Sequence, residues 1–179
     1  MPFPAPRGRR SEPAPAVDPE DRDAAAALAQ RLLAVTDRSR VELERRLEMR
    51  GFTRETAAAA VDRLQARGWV DDGRFATELA RRRLAHGYGR RRVLADLAAR
   101  GVDADTVART DLGMAGGQTE AARLAAGRLR RGSEGPPAPQ EVRRLAAALE
   151  RRGFDNADIR TVLRELATGV TLPPDEGGG

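Results

Sequence analysis

The chain of 179 residues contains no cysteine, no lysine and only one histidine, His86. The lack of cysteine excludes disulfides, thiol nucleophiles, iron–sulfur clusters and cysteine-ligated zinc. A single histidine excludes histidine-rich metal sites and argues against Ser-His catalysis. The composition therefore predicts a protein that is not an enzyme and that needs no metal or cofactor.

Long apolar runs are also missing. No run approaches the roughly 20 residues that a membrane-spanning helix needs, and the N-terminal segment MPFPAPRGRRSEPAPAV has no apolar core of the signal-peptide kind. We therefore expect a soluble, cytoplasmic protein. Six prolines in residues 1–22 and an adjacent pair of prolines in residues 169–179 predict disordered tails at both ends.

Between these tails the sequence consists mainly of Ala, Leu, Arg and Glu, with apolar residues at helical spacing. No alternating run of Val, Ile or Thr indicates a strand. The segment RGSEGPPAP at 131–139 is rich in turn-forming residues and predicts an internal loop. The body of the protein is therefore predicted to be all-helical.

The strongest pattern in the body is a threefold repeat with a period near 50 residues. An arginine, a glycine and an apolar residue recur in that order around Gly51, Gly101 and Gly153. Apolar residues also stand four and eight positions before each glycine. This pattern is typical of a helix that ends at a left-handed glycine, and the polar residue two positions later is suited to cap the next helix.

Three units of three helices follow from this repeat, at residues 23–70, 71–116 and 117–168. The predicted helices span 23–35, 39–50 and 53–67, then 72–86, 89–100 and 103–110, then 117–130, 139–152 and 155–167. A period of this length is typical of stacked helical arrays. We therefore predict three tandem three-helix repeats in a curved, elongated array, with one compact bundle as the alternative.

The net charge of +5 lies entirely in the first two units. Residues 23–70 carry nine arginines against seven acidic residues, and residues 71–110 carry nine against six, whereas residues 111–179 are balanced. Within the second unit, the segment RRRLAHGYGRRR at 81–92 has six arginines and no acidic residue. The planar guanidinium fork suits phosphate and carboxylate recognition, so this segment predicts a partner-binding patch.

The candidate binding residues of this segment are its arginines and its tyrosine: Arg81, Arg82, Arg83, Tyr88, Arg90, Arg91 and Arg92. The alternative is a solvated helix end, because three consecutive residues span about 200° of a helix and cannot share one face. Tyr88 is interpreted either as stacking on a base or an aromatic partner, or as packing over the corner between two helices. Trp69 is predicted to be buried at the junction of the first two units, and Asp71 to begin the next helix.

Three segments of the first two units form a set of motifs: TDRSRVEL at 36–43, LQARGWVDDGRFATELARRR at 64–83 and GYGRRRVLADLAARGV at 87–102. In this order and combination they resemble the RecX regulatory family. The resemblance covers residues 28–110 strongly and residues 117–168 weakly. It implies three tandem three-helix repeats, in agreement with the repeat deduced from the glycines.

The resemblance further implies a non-enzymatic negative regulator of the RecA recombinase, and we expect a monomer. RecX proteins bind along the groove of the RecA–single-stranded DNA filament and suppress its ATP hydrolysis, strand exchange and coprotease activity in DNA repair and the SOS response. The partner-binding residues are then the seven candidates given above, with Arg38 and Arg40 as weaker ones. The alternative is a direct nucleic-acid-binding protein with helix-turn-helix-like units and single-stranded DNA as its partner.

Overall fold

A computed structural model describes residues 18–113, 117–131, 133 and 135–169. In these residues the chain forms nine α-helices and no strand, which confirms the all-helical prediction. The helices are α1 Arg22–Val35, α2 Arg40–Glu48, α3 Arg54–Ala66, α4 Asp72–Ala85, α5 Arg90–Ala99, α6 Ala104–Arg109, α7 Gly117–Leu129, α8 Pro139–Arg151 and α9 Asn156–Thr168. Most of the two predicted tails, at 1–17 and 170–179, lies outside the described residues.

Each group of three consecutive helices has its own hydrophobic core. The leucines that stand four positions before the repeated glycines, Leu47, Leu97 and Leu149, are all fully buried, one in each core. The cores of the second and third units are linked by the partly buried Leu84, which packs against both. The fold is therefore a series of three stacked three-helix units, as the repeat predicts.

The repeated glycines end the middle helix of each unit as predicted. Gly51, Gly101 and Gly153 have φ values of +98°, +78° and +86°, in the left-handed region that L side chains disfavour. The amide of the apolar residue after each glycine donates a hydrogen bond back to the carbonyl of the leucine five residues earlier. That apolar residue is itself buried in all three units. The turn thus ends one helix and anchors the start of the next.

Side chains cap the helices at several predicted positions. Ser39 and Glu42 form a reciprocal capping box at the start of α2. The carboxylate of Asp71 accepts the Arg74 amide at 2.9 Å at the start of α4. Asp155 stands at the N-cap of α9, but its carboxylate makes no capping bond there; it accepts a hydrogen bond from Arg91 of the neighbouring unit at 2.8 Å.

The first helix begins at Arg22, inside the range assigned to the N-terminal tail. Asp21 caps α1 through its side chain, and the carbonyl of Pro19 accepts the Thr53 amide at 2.9 Å. Residues 18–21 are therefore attached to the first unit by a hydrogen bond from the start of α3.

Trp69 is 51% exposed, so the prediction that it is buried is wrong. In the repeats, one residue separates the helix-ending glycine from the next N-cap, and that residue is buried. Two residues, Trp69 and Val70, separate Gly68 from the N-cap Asp71. Val70 occupies the buried position, at 2% exposure, and the additional residue Trp69 is left at the surface.

The first and second units meet where the N-terminus of α2 lies against the C-terminus of α5. We call this contact the first junction. The Ser39 hydroxyl donates to the carbonyl of Arg100, and the Arg40 amide donates to the Asp72 carboxylate at 2.9 Å. The guanidinium of Arg100 also pairs with Glu42 at 2.8 Å.

The second and third units meet in the same way, at the second junction. The N-terminus of α5 lies against the C-terminus of α8, with the Gly89 amide donating to the Arg152 carbonyl at 2.8 Å. The Arg91 amide donates to the Gly153 carbonyl at 3.0 Å, and the Arg90 amide donates to Gln118 at 2.8 Å. The array therefore uses one type of helix-end contact twice.

Candidate functional site: a basic corner and a basic cleft

The segment with six arginines forms the corner between α4 and α5. We call residues 81–92 the corner. The helix α4 ends at Ala85, with His86 as C-cap, and α5 begins after the N-cap Gly89. The Tyr88 amide donates back to the Arg83 carbonyl at 3.0 Å, which closes the turn. The arginines of the corner thus come from the last turn of one helix and the first turn of the next.

Tyr88 lies at the centre of the corner and is half-buried. The guanidinium carbons of Arg83 and Arg92 lie 5.5 and 5.9 Å from its ring centroid, within cation–π range. Asp96 pairs with both arginines, at 2.6 Å from Arg83 Nε and 3.1 Å from Arg92 Nε. Tyr88 therefore packs against arginines of its own corner, and one carboxylate offsets their charge.

Three further predicted arginines are also held by acidic partners. Arg81 donates twice to Glu78, at 2.9 and 2.8 Å, and this pairing lowers the pKa of Glu78 below its ordinary value. Arg91 pairs with Asp155 across the second junction. Arg40 contacts Glu44, Asp62 and Gln65 on its own unit, at 2.8, 2.6 and 2.8 Å. Their charge is therefore locally balanced, and the contacts of Arg40 lie within the first unit and not at the corner.

The remaining predicted arginines have no hydrogen-bonded acidic partner among the described residues. Arg82 lies 3.7 Å from the Glu78 carboxylate, a distance too long for a hydrogen bond. No carboxylate of the described residues lies within 4 Å of the Arg38 or Arg90 guanidinium. Arg90 borders an apolar groove on the second unit, between α5 and α6. Arg38 and Arg82 instead meet in one cleft.

This cleft lies between α2 and α4, beside the first junction, and has a volume of about 540 Å³. We call it the cleft. Its lining comprises Thr36, Asp37, Arg38, Glu42, Arg46, Phe75, Leu79, Arg82, Arg83, His86 and Arg100. Five arginines against two carboxylates give this lining a net charge of +3. A concave surface with such an excess attracts anionic groups.

Arg38 and Arg46 are the arginines of the cleft that have no carboxylate within 4 Å among the described residues. The Arg38 Nε atom is buried and has no hydrogen-bond partner in that part of the chain. Burial, and then the nearby charge of Arg46, lower the pKa of Arg38 below its ordinary value, against the opposing effect of Glu42. An anion bound in the cleft would offset the repulsion between the two arginines.

The cleft also contains residues that the sequence did not single out. Arg46 lies on α2, whereas Arg38 stands immediately before the N-cap Ser39, outside the helix. Helical periodicity therefore does not relate these two residues in the sequence. Arg100 ends α5 and reaches the cleft through the first junction, which no local pattern indicates.

Family models for the second and first three-helix domains of RecX match residues 71–110 and 25–64. The Regulatory protein RecX of Xanthomonas campestris pv. campestris (strain B100) is 41% identical over 133 residues, which cover 74% of this chain and 82% of the relative. The chain belongs to the RecX family. The Regulatory protein RecX of Stenotrophomonas maltophilia (strain R551-3) is likewise 41% identical, over 74% of this chain and 81% of that relative.

Solved structures of RecX proteins have the same fold. The crystal structure of RecX from Lactobacillus salivarius has a TM-score of 0.68 at 19% identity, covering 82% of this chain and 96% of that one. A crystal structure of regulatory protein RecX has a TM-score of 0.70 at 17% identity, covering 80% of this chain and 73% of the other. At these identities the likeness concerns the fold alone.

None of the helices in the described residues combines the length and apolar character that crossing a bilayer requires. The described residues also contain no group of three or more His, Asp or Glu side chains placed to hold a metal ion.

Proposed function

We propose that the chain is a non-enzymatic negative regulator of the RecA recombinase that binds the RecA–single-stranded DNA filament. The observation that carries the proposal is the cleft: five arginines face one concave surface in a chain of the RecX family. A filament of protein and DNA presents phosphates and carboxylates, which are the groups that such a surface recognises.

The binding face is proposed to extend from the cleft to the corner. Arg82 and Arg83 belong to both, which makes the two regions continuous. The proposed contact residues are Arg38, Arg46, Arg81, Arg82, Arg83, Tyr88, Arg90, Arg91, Arg92 and Arg100, with Arg40 in a supporting role on α2. Their positive field accelerates association with an anionic filament and makes the affinity sensitive to salt.

The direct test is the rate of ATP hydrolysis by the recombinase of the same organism on single-stranded DNA, measured at increasing concentrations of the chain. We expect the rate to fall in a saturable way, and strand exchange and stimulated repressor cleavage to fall with it. The chain should also co-sediment with the filament. A recombinase whose three activities are unchanged at saturating chain would contradict the proposal.

A further inference from the structure

Trp69 is the most exposed aromatic residue in the described part of the chain. Its backbone is fixed on both sides: its amide donates to the Leu64 carbonyl at 2.9 Å, and its own carbonyl accepts from Arg74 at 3.3 Å. An exposed indole on a fixed backbone is a flat apolar surface whose backbone loses little further freedom on binding. Such a surface is suited to stacking on a planar ligand.

The indole of Trp69 is continuous with the cleft. Trp69 and Arg74 line a small depression together with Asp37, Arg38 and Phe75. Those last three residues also line the cleft, so the two concavities share a wall. A ligand that stacks on the indole can therefore extend past the shared wall into the cleft and contact its arginines.

Most acidic groups that face this surface are already engaged. Glu42 accepts from Arg100, and Asp71 caps α4, which leaves Asp37 as the remaining acid. The guanidinium groups of Arg38 and Arg46, in contrast, have no carboxylate of the described residues within 4 Å. The surface thus combines an exposed aromatic plane with unbalanced positive charge.

We propose that Trp69 and the cleft form a binding site for a single strand of nucleic acid, with one base stacked on the indole and the adjoining phosphates held by Arg38, Arg46 and Arg82. Stacking on aromatic side chains together with a positively charged groove is how proteins bind single strands without sequence preference. The inference does not depend on the proposed function, because its test uses the chain and an oligonucleotide alone.

The observations favour a strand over other anionic ligands. An acidic peptide would use the arginines but would leave the indole without a stacking partner. A free nucleotide would use the indole and one phosphate site, but five arginines line the cleft of about 540 Å³, more than one phosphate group requires. A chain of several phosphates with accessible bases uses both features.

The test uses the intrinsic fluorescence of Trp69, which is the only tryptophan in the sequence. A twelve-residue oligodeoxythymidylate should quench this emission in a saturable way at low salt. The same length of duplex, whose bases are stacked internally, should quench it less. Thymidine monophosphate should compete only at far higher concentration; equal affinity for monophosphate and strand would overturn the proposal of a strand.

Variants are compared by fluorescence anisotropy of a labelled oligonucleotide. Trp69→Ala should weaken binding roughly 5- to 150-fold, the range found for loss of one stacked base, whereas Trp69→Phe should recover part of the affinity. The double variant Arg38→Gln/Arg46→Gln should reduce the salt slope of log affinity by about 1.4, because each lost phosphate contact on a single strand lowers it by about 0.7.

The matched control is Arg143→Gln/Arg144→Gln on the exposed face of α8, which removes the same charge from the third unit. It should leave both the affinity and the salt slope close to those of the original chain. Equal losses in the two double variants, or an unchanged emission of Trp69 on addition of the strand, would overturn the inference. Inhibition of the recombinase by a chain that fails these tests would leave the proposed function standing.

Discussion

The first and second junctions have the same geometry but are built from different chemical groups. At the first junction a hydroxyl, from Ser39, donates to the helix-ending carbonyl of Arg100; at the second, the backbone amide of Gly89 takes that role. A carboxylate accepts the next amide at the first junction and an amide side chain, Gln118, accepts it at the second. The repeat thus preserves hydrogen bonds and not residue types.

The two junctions differ most in their charge. Arg38 precedes the N-cap of α2, and Tyr88 stands in the same position before α5. Seven residues after the N-cap, α2 has Arg46 where α5 has Asp96. In the second unit Asp96 therefore pairs with Arg83 and Arg92, and Tyr88 packs against both, whereas in the first unit Arg38 and Arg46 line the cleft. The same helix-end contact is therefore flanked by paired charges in the second unit and by the arginine-lined cleft at the first junction.

The largest effect is expected from adding a methyl group at the second junction. A Cβ on Gly153 would lie 2.4 Å from the Arg92 amide nitrogen, and its φ is +86°. The left-handed conformation costs about 1–2 kcal/mol and overpacking about 1–3 kcal/mol. We therefore expect Gly153→Ala to lower the free energy of unfolding, measured by urea denaturation, by about 2–5 kcal/mol.

Two controls separate these contributions. Gly51→Ala carries the left-handed cost alone, because nothing lies within 4 Å of the added Cβ, and should lose only about 1 kcal/mol. Gly89→Ala carries the overpacking alone, because its φ is ordinary while its Cβ would lie 2.4 Å from the Gly153 carbonyl oxygen. Equal losses at Gly51 and Gly153 would show that the second junction is not closely packed.

An intermediate effect is expected from Ser39→Ala at the first junction. The substitution removes the cap of the Glu42 amide and the hydroxyl donor to Arg100. Losing a helix cap and a buried hydrogen bond costs about 1–2 kcal/mol. This loss is measured as the free energy of unfolding by urea denaturation. If Ser39→Ala and Ser39→Gly unfold like the original chain, the hydroxyl does not hold the first junction together.

The smallest effect is expected from Asp72→Asn, which copies the amide found at the second junction. Burial, partly offset by the hydrogen bond from Arg40, raises the pKa of the Asp72 carboxyl above its ordinary value. The ionised form is therefore less favourable in the folded chain, and folding stability is lost as pH rises from about 4 through the raised pKa. Asp72→Asn should remove this loss and keep the acceptor for the Arg40 amide.

The pH dependence is the measurement that decides this prediction. The stability of Asp72→Asn relative to the original chain should increase from pH 4 to pH 7, by less than the change caused by Ser39→Ala. Asp72→Ala lacks the acceptor and should be less stable than Asp72→Asn by about 1 kcal/mol across the range. A relative stability of Asp72→Asn that falls with rising pH would contradict the assigned direction.

The helices and their boundaries could be predicted because local signals determine them. The glycine turns and the Ser39–Glu42 capping box act within a few residues, and the observed helix ends lie within about two residues of the predicted ones. The prediction that Trp69 is buried was wrong because the turn after Gly68 has one extra residue, which places Val70 and not Trp69 in the core.

The candidate site was less predictable than the fold. Ion pairs such as Arg83–Asp96 and Arg91–Asp155 depend on which helices meet, so a count of arginines in the sequence cannot tell balanced charge from free charge. The cleft likewise brings Arg100 to Arg38 across the first junction. The assignment of the corner as a binding surface stays a prediction.

The central claim is that arginines of the first two units without a hydrogen-bonded acidic partner in the described residues bind the filament, and one comparison tests it. Variant one replaces Arg38, Arg46, Arg82 and Arg90 by glutamine. Variant two replaces the exposed third-unit residues Arg143, Arg144, Arg151 and Arg160 by glutamine, so that both lose four positive charges.

The concentration that halves the ATP hydrolysis of the recombinase on single-stranded DNA is measured for each variant, after circular dichroism has confirmed equal helicity. Variant one should require at least tenfold more protein and variant two about as much as the original chain; equal inhibition by both would contradict the account.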